Sequence, residues 1–217
     1  MTHYRIDIVS DTVCPWCLVG KKRLESAISQ HKAVYPSDTF ATTWCPFYLD
    51  PTAPVPGEDK QTRYERKLGA QRTAMIQERL AQVGRENGIN FKFGGRTGNT
   101  RDSHRLIQLG KTKSPELQTR VVEELFAAYF ENEKDITDHA ILRSAAVNAG
   151  LEEAEVNEWL STDKGGKEVD EEVAKAQMRF ISGVPNFTIQ GKYQIGGAEE
   201  SATFLETFQQ IKKSESS

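Results

Sequence analysis

Two cysteines three positions apart, Cys14 and Cys17, stand where a β-type alternation gives way to a helical stripe, and this junction narrows the choice of fold more than anything else in the 217 residues. Tyr4-Arg5-Ile6-Asp7-Ile8-Val9 alternates apolar with polar side chains and is rich in β-branched types, which predicts a strand. Ser10, Asp11 and Thr12 offer capping oxygens, and from Cys14 to Ser29 the residues Leu18, Leu24, Ala27 and Ile28 fall near one helical stripe. Phe40 to Trp44 predicts a second strand, ended by Pro46, which has no N–H for a ladder. Strand, helix, strand with a right-handed crossover is a parallel βαβ unit.

The pattern then changes. Residues 50–57 hold three of the eight prolines and read as a loop. From Gln61 to Phe180 the spacing is helical: Met75, Ile76, Leu80 and Val83 keep it, as do Val121, Val122, Leu125, Phe126 and Tyr129, and then Ile141, Leu142, Ala145 and Ala146. Strand chemistry returns after Gly183-Val184-Pro185, with Asn186 to Ile189, a turn at Gln190-Gly191-Lys192, and Tyr193 to Ile195 predicting a hairpin. Ala202, Leu205, Phe208 and Ile211 mark a closing amphipathic helix, with fraying expected from Lys213 onward. The chain is therefore α/β: an N-terminal part (1–57) and a C-terminal part (181–217) make one βαβ…ββα sheet domain, interrupted by a helical insertion (58–180).

Composition excludes several classes of function. A net charge of -3, with 28 basic residues interspersed among 31 acidic ones, builds no single-sign field for nucleic acid or an anionic membrane. The N-terminus lacks the basic and apolar regions of a secretory signal, and no apolar run approaches the ~18 residues of a membrane span. The expected location is the cytoplasm, where three cysteines are not a disulfide framework.

The i, i+3 spacing puts both thiols on one helix face, within reach of a disulfide, and Cys14 falls at the predicted helix N-terminus. Unsatisfied N–H groups and the positive end of the helix dipole favour thiolate there; a free cysteine titrates near ~8.5, and such settings lower that. Cys14 is the expected nucleophile and Cys17, one turn further in, the resolving thiol. Pro15 suits the first helical turn, where a missing N–H costs nothing, and Trp16 gives the nucleophile an apolar neighbour without a titrating group. The other reading, half of a zinc site, needs a second ligand pair that Cys45 and the scattered His3, His31, His104 and His139 do not supply. No metal is expected. Pro185, just before a strand, is either a plain trans strand-entry proline or a cis one whose preceding Val184 offers backbone groups to an incoming peptide or glutathione.

Together these residues resemble the DsbA-like thioredoxin-fold oxidoreductases, in the FrnE-like branch related to 2-hydroxychromene-2-carboxylate isomerase and kappa-class glutathione transferases. The resemblance is carried by Asp11-Thr12-Val13-Cys14-Pro15-Trp16-Cys17 with Gly20-Lys21, by Trp44-Cys45-Pro46-Phe47, by Asn99-Thr100 with His104-Arg105-Leu106, by Leu125 to Phe130, and by Gly183-Val184-Pro185-Asn186-Phe187. It implies a thioredoxin domain with a helical insertion, a cis bond before Pro185, and disulfide exchange at the dithiol. The related isomerases and transferases carry serine where Cys14 stands, so this chain's two cysteines speak for disulfide chemistry.

The expected activity is thiol–disulfide exchange, as reductase or isomerase, because no histidine separates the cysteines and a reducing compartment favours the dithiol. The alternatives are a glutathione-dependent transferase or isomerase, and a redox-sensing or chaperone-like binding protein. The expected partners are protein or small-molecule disulfides; no bound cofactor is required, and glutathione is a candidate co-substrate. Besides Cys14 and Cys17, the candidate substrate contacts are Trp16, Val184, Pro185 and His104. Arg101 and Arg105 are weighed as receivers of a carboxylate, Cys45 as a buried hydrophobe or third redox thiol, Phe47, Phe180 and Phe187 as groove aromatics, and Lys21 and Lys22 as exposed helix residues.

Overall fold

The computed structural model describes residues 1–215. Strand β1 (His3–Ser10) alternates exposed and buried positions, and helix α1 (Pro15–Val34) crosses over to β2 (Thr39–Pro46), which lies parallel to β1 with Val9 opposite Cys45. Next come β3 (Glu58–Asp59), α2 (Lys60–Leu68), α3 (Ala70–Glu86), β4 (Arg96–Thr97), α4 (Arg101–Lys113) and α5 (Pro115–Phe126). A π-helical turn (Ala127–Glu131) then leads to α6 (His139–Ala149), α7 (Glu153–Ser161) and α8 (Gly166–Met178). The chain returns to the sheet through the antiparallel hairpin β5 (Asn186–Ile189) and β6 (Tyr193–Gly196) and closes with α9 (Ser201–Glu215). Sheet order is β2-β1-β5-β6, so the first and last parts of the sequence meet on either side of β1. This is the thioredoxin arrangement.

One face of the sheet is closed by α1 and α9 over the alternate residues of β1. Tyr4, Ile6 and Ile8 are buried there with Leu24, Ala27, Phe187, Phe204 and Phe208; Tyr4 stacks on Phe40 at 4.7 Å, and Phe187 meets Phe204 edge-on at 4.9 Å. Each buried Leu, Ile or Phe among these contributes about 1.5–3 kcal/mol by leaving water. On the other face Val9 packs with Phe47, Ala176 of α8 and Ile181. Strand β2 is an edge, and α5 covers it by imitating a strand: the Gln118 amide accepts from the Trp44 N–H at 3.0 Å and donates to the Trp44 carbonyl at 2.8 Å. Those are groups an open edge would leave free.

Several expectations change on contact with the fold. Lys21 is not an exposed helix residue; it is 3 % exposed and tied to Glu25 and Glu123, the latter at 2.7 Å, which fastens α1 to α5. The stripe on α3 is only half used, for Leu80 is buried while Met75 and Ile76 face outward. The middle of the chain also holds a two-stranded ladder pairing Glu58 with Thr97 and Asp59 with Arg96, too short to show any periodicity in sequence. Helix α9 continues past Lys213 to Glu215, and the rest of the segment expected to fray, residues 216–217, lies outside the described residues.

Candidate active site

Cys14 is the N-cap of α1, in extended conformation, with Pro15 in the first turn. A turn precedes the helix, since the Cys14 N–H donates to the Asp11 carbonyl at 3.1 Å and the Cys17 N–H to the Cys14 carbonyl at 3.0 Å. The capping oxygens expected from Ser10, Asp11 and Thr12 do not cap α1, which has no side-chain cap. Asp11 instead accepts from the Leu49 N–H at 2.8 Å and faces His104, and Thr12 Oγ1 pairs with Ser103 Oγ at 2.8 Å, so these residues lock the approach loop to α4. Both cysteines are free thiols and both are buried, Cys14 at 5 % and Cys17 at 1 % exposure. Burial first, then the neighbouring Cys14 sulfur, pushes the Cys17 thiol well above its ordinary value, with Ser10 and the Asp11 amide opposing. Cys17 therefore rests protonated.

The Val184–Pro185 peptide is cis, and the Cys14 thiol points at the Val184 carbonyl, 3.6 Å away. Gly20 permits this proximity of α1 to the Pro185 loop: a Cβ at that position would lie 3.0 Å from Phe187 Cζ and 3.1 Å from Pro185 Cγ. Trp16 is half-buried beside the dithiol, with the Arg79 guanidinium 5.6 Å from its ring. Dithiol, Trp16 and the Val184–Pro185 backbone thus share one neighbourhood, built from the two ends of the sequence.

His104 takes a different place from the substrate contact expected of it. It is 3 % exposed, and its Nε2 lies 3.1 Å from the Phe47 carbonyl and 3.3 Å from Asp11 Oδ1. Both neighbours are acceptors, which assigns the proton to Nε2. The ring steadies Asp11 behind the Cys14 loop. The two arginines are committed as well: Arg101 grips Asp163 and Asp170, while buried Arg105 donates to the Trp159 and Thr162 carbonyls at the end of α7 and to Asp102. Neither receives a ligand carboxylate in this arrangement. Of the aromatics, Phe47 and Phe187 are core and Phe180 is 94 % exposed. Cys45 is half-buried on β2, its thiol pushed up to about 11 by burial and the nearby Glu172. Among the described residues, no three His, Cys, Asp or Glu side chains come together as a metal site.

Sequence reasoning missed the aromatic wall of the insertion. Tyr64 shares a small cleft with Asp11 and Val13, and its hydroxyl lies 3.5 Å from that of Tyr129, which donates to Thr97 Oγ1 at 2.8 Å. Lys60 sits under this wall, 2 % exposed, its Nζ 3.7 Å from the Tyr129 ring centre, and burial lowers its ammonium to about 8. Tyr64 and Lys60 lie one turn apart on a nine-residue helix, and nothing in that spacing distinguishes them from surface residues.

The family description "DSBA-like thioredoxin domain" matches residues 5–209. YwbO of Bacillus subtilis is 29% identical over 208 residues, covering 92% of each chain. Among solved structures, one described as a probable DsbA oxidoreductase from Streptomyces coelicolor superposes with a TM-score of 0.86 at 26% identity, covering 96% of this chain and 89% of that one. A 2-hydroxychromene-2-carboxylate isomerase superposes with a TM-score of 0.70 over 98% of both chains, and at 14% identity it shares the fold alone. With the matched stretch running across nearly the whole chain, from β1 into α9, the protein belongs to the DSBA-like thioredoxin domain family.

Proposed function

We propose that this chain is a thiol–disulfide oxidoreductase, acting as reductase or isomerase through Cys14 and Cys17. The family supports disulfide oxidoreductase chemistry in general. The observation that carries the specific reading is a free thiol at the start of α1, 3.6 Å from the Val184 carbonyl, with a second, more deeply buried thiol one turn behind it. In this reading the Cys14 thiolate attacks one sulfur of a substrate disulfide, and the other sulfur leaves as a thiolate. Cys17 then loses its proton and attacks Cys14 Sγ, releasing the second substrate thiol and leaving a Cys14–Cys17 disulfide. Two electrons pass from dithiol to substrate, and an external thiol such as glutathione returns them. The protein needs no bound metal or organic cofactor, works in the cytoplasm, and aligns its substrate along the Val184 backbone.

The test is reduction of insulin by the purified protein with a recycling dithiol. Wild type accelerates it, Cys14→Ser abolishes it, and Cys17→Ser accumulates a mixed disulfide visible by mass. A wild-type protein inert toward disulfides, or a Cys14→Ser variant that still conjugates or isomerises a small electrophile with glutathione, would replace this reading with the transferase one.

A further inference from the structure

We infer that Phe180 is an aromatic anchor for polypeptide substrates, holding an apolar side chain of a protein whose disulfide lies at Cys14; this rests on the disulfide-exchange reading above and deepens it. Phe180 stands just past the end of α8. Its N–H donates to the Gln177 carbonyl at 2.9 Å and the Ile181 N–H to the Ala176 carbonyl at 3.2 Å, while Ile181 and Ala176 are buried in one apolar cluster. These are the two bonds and the apolar contact of a Schellman ending, which holds the residue after the cap in the left-handed region and normally places glycine there. Here the residue is Phe180, at a φ of 58°.

An L-residue in the left-handed region crowds its Cβ against the following carbonyl, and a contact of its side chain has to offset that strain. Among the described residues, Glu133 and Gln190 also sit at positive φ without being glycine, and each has such a contact. The Glu133 carboxylate accepts from the Gly94 N–H at 2.8 Å, and the Gln190 amide donates to the His3 carbonyl at 2.9 Å and accepts from the Arg5 N–H at 3.3 Å. The Phe180 side chain has no polar group and is 94 % exposed, so it stabilises nothing within the chain. Strain that the fold does not use points to a contact made outside it. Met178, 69 % exposed on the last turn of α8, adds to the apolar surface.

The position selects the occupant. Ile181 belongs to the cluster against which Val184 packs, and the Val184 carbonyl is 3.6 Å from Cys14 Sγ. Phe180 precedes Val184 by four positions, so it lies within about 14 Å of it, the reach of four extended residues. A substrate strand aligned along the Val184 backbone covers that span with residues of its own. A polypeptide therefore brings an apolar side chain to Phe180 while its disulfide meets Cys14, whereas a small disulfide carries no such side chain. Phe180 contributes binding alone; the exchange of sulfur bonds and of two electrons is the one already described.

The experiment is single-turnover oxidation of the reduced full-length protein by insulin and by hydroxyethyl disulfide, read by acid quenching and thiol labelling, with thermal unfolding of the same samples. In Phe180→Gly the ratio of the insulin rate to the hydroxyethyl disulfide rate falls about tenfold, the size of one truncated aromatic anchor. The loss lies in the half-saturating insulin concentration and not in the limiting rate. The same variant unfolds roughly 2–4 °C higher, because glycine relieves the left-handed strain. Phe180→Leu, apolar and still strained, keeps most of the insulin preference. A wild-type ratio in Phe180→Gly, an equal loss on both disulfides, or a lowered Tm overturns the anchor. So does a wild-type dimer that Phe180→Gly turns into a monomer in sedimentation, which assigns the surface to a second copy of the chain. If neither disulfide oxidises the wild-type dithiol, the disulfide-exchange reading falls first and the anchor with it.

Discussion

Replacing Gly20 by alanine sets two effects of known size against each other. Gly20 lies inside α1, where alanine is favoured over glycine by about 1 kcal/mol through backbone entropy alone. Against that, the new Cβ would stand 3.0 Å from Phe187 Cζ and 3.1 Å from Pro185 Cγ, about 0.4–1 Å inside the usual carbon–carbon separation of about 3.5–4.0 Å. Phe187 is fully buried against Phe204 and has no room to swing away. Overpacking of this kind costs about 1–3 kcal/mol, so the net change is a destabilisation between about 0 and 2 kcal/mol. For a domain of this size that is a fall of about 2–4 °C in Tm for each kcal/mol. Strain relieved through Pro185 also moves the Val184 carbonyl from Cys14 Sγ, so disulfide reduction slows beyond what the stability loss explains. Thermal unfolding and insulin reduction on Gly20→Ala, Phe187→Leu and the double variant measure both effects. The double variant should recover part of the loss, giving a coupling of about 0.5–3 kcal/mol. A Gly20→Ala protein about 1 kcal/mol more stable than wild type and equally active would refute the close-approach argument.

Lys60→Met should stabilise the protein most near neutral pH. Burial lowers the Lys60 ammonium to about 8, so below that pH the folded state carries a buried charge at a cost on the order of 3 kcal/mol, which fades as pH rises toward the unfolded value of about 10.4. Urea midpoints of the two proteins should converge between pH 8 and 10.4, and a constant gap would count against the buried charge. At the far end of the sheet, burial of Asp38 opposes ionisation, but hydrogen bonds from Lys212, the Thr2 amide and His31 outweigh it and hold the carboxyl far below its usual range. Its stabilisation is present above about pH 4 and is lost as pH falls through the lowered value, so Asp38→Asn should lose about 3–5 kcal/mol at neutral pH and show a flatter acid limb in chemical denaturation. Arg105→Lys keeps the charge but cannot reach the Trp159 and Thr162 carbonyls together, and hydrogen exchange should quicken at the end of α7; unchanged exchange there would deny the arginine that role.

The parts of this protein legible in its sequence are those governed by neighbours along the chain. Alternation in residues 4–9, a proline one position past Cys14, the i, i+3 cysteines and the turn at Gln190-Gly191-Lys192 each express local backbone physics, and strand, helix and hairpin follow from them in the right order. The dithiol belongs here too, because its chemistry needs only a helix start and one turn. What pairs with it across the fold was not readable: Val184 is 170 residues from Cys14, and His104 and Arg105 carry the same charge patterns whether they meet a ligand, an aspartate or the end of another helix. Burial decides such cases, since a polar group out of water must bond to whatever the packing brings near it, and packing is set by the whole chain. The Lys60 ammonium under Tyr129 and the tight contact at Gly20 exist only once the whole chain has folded.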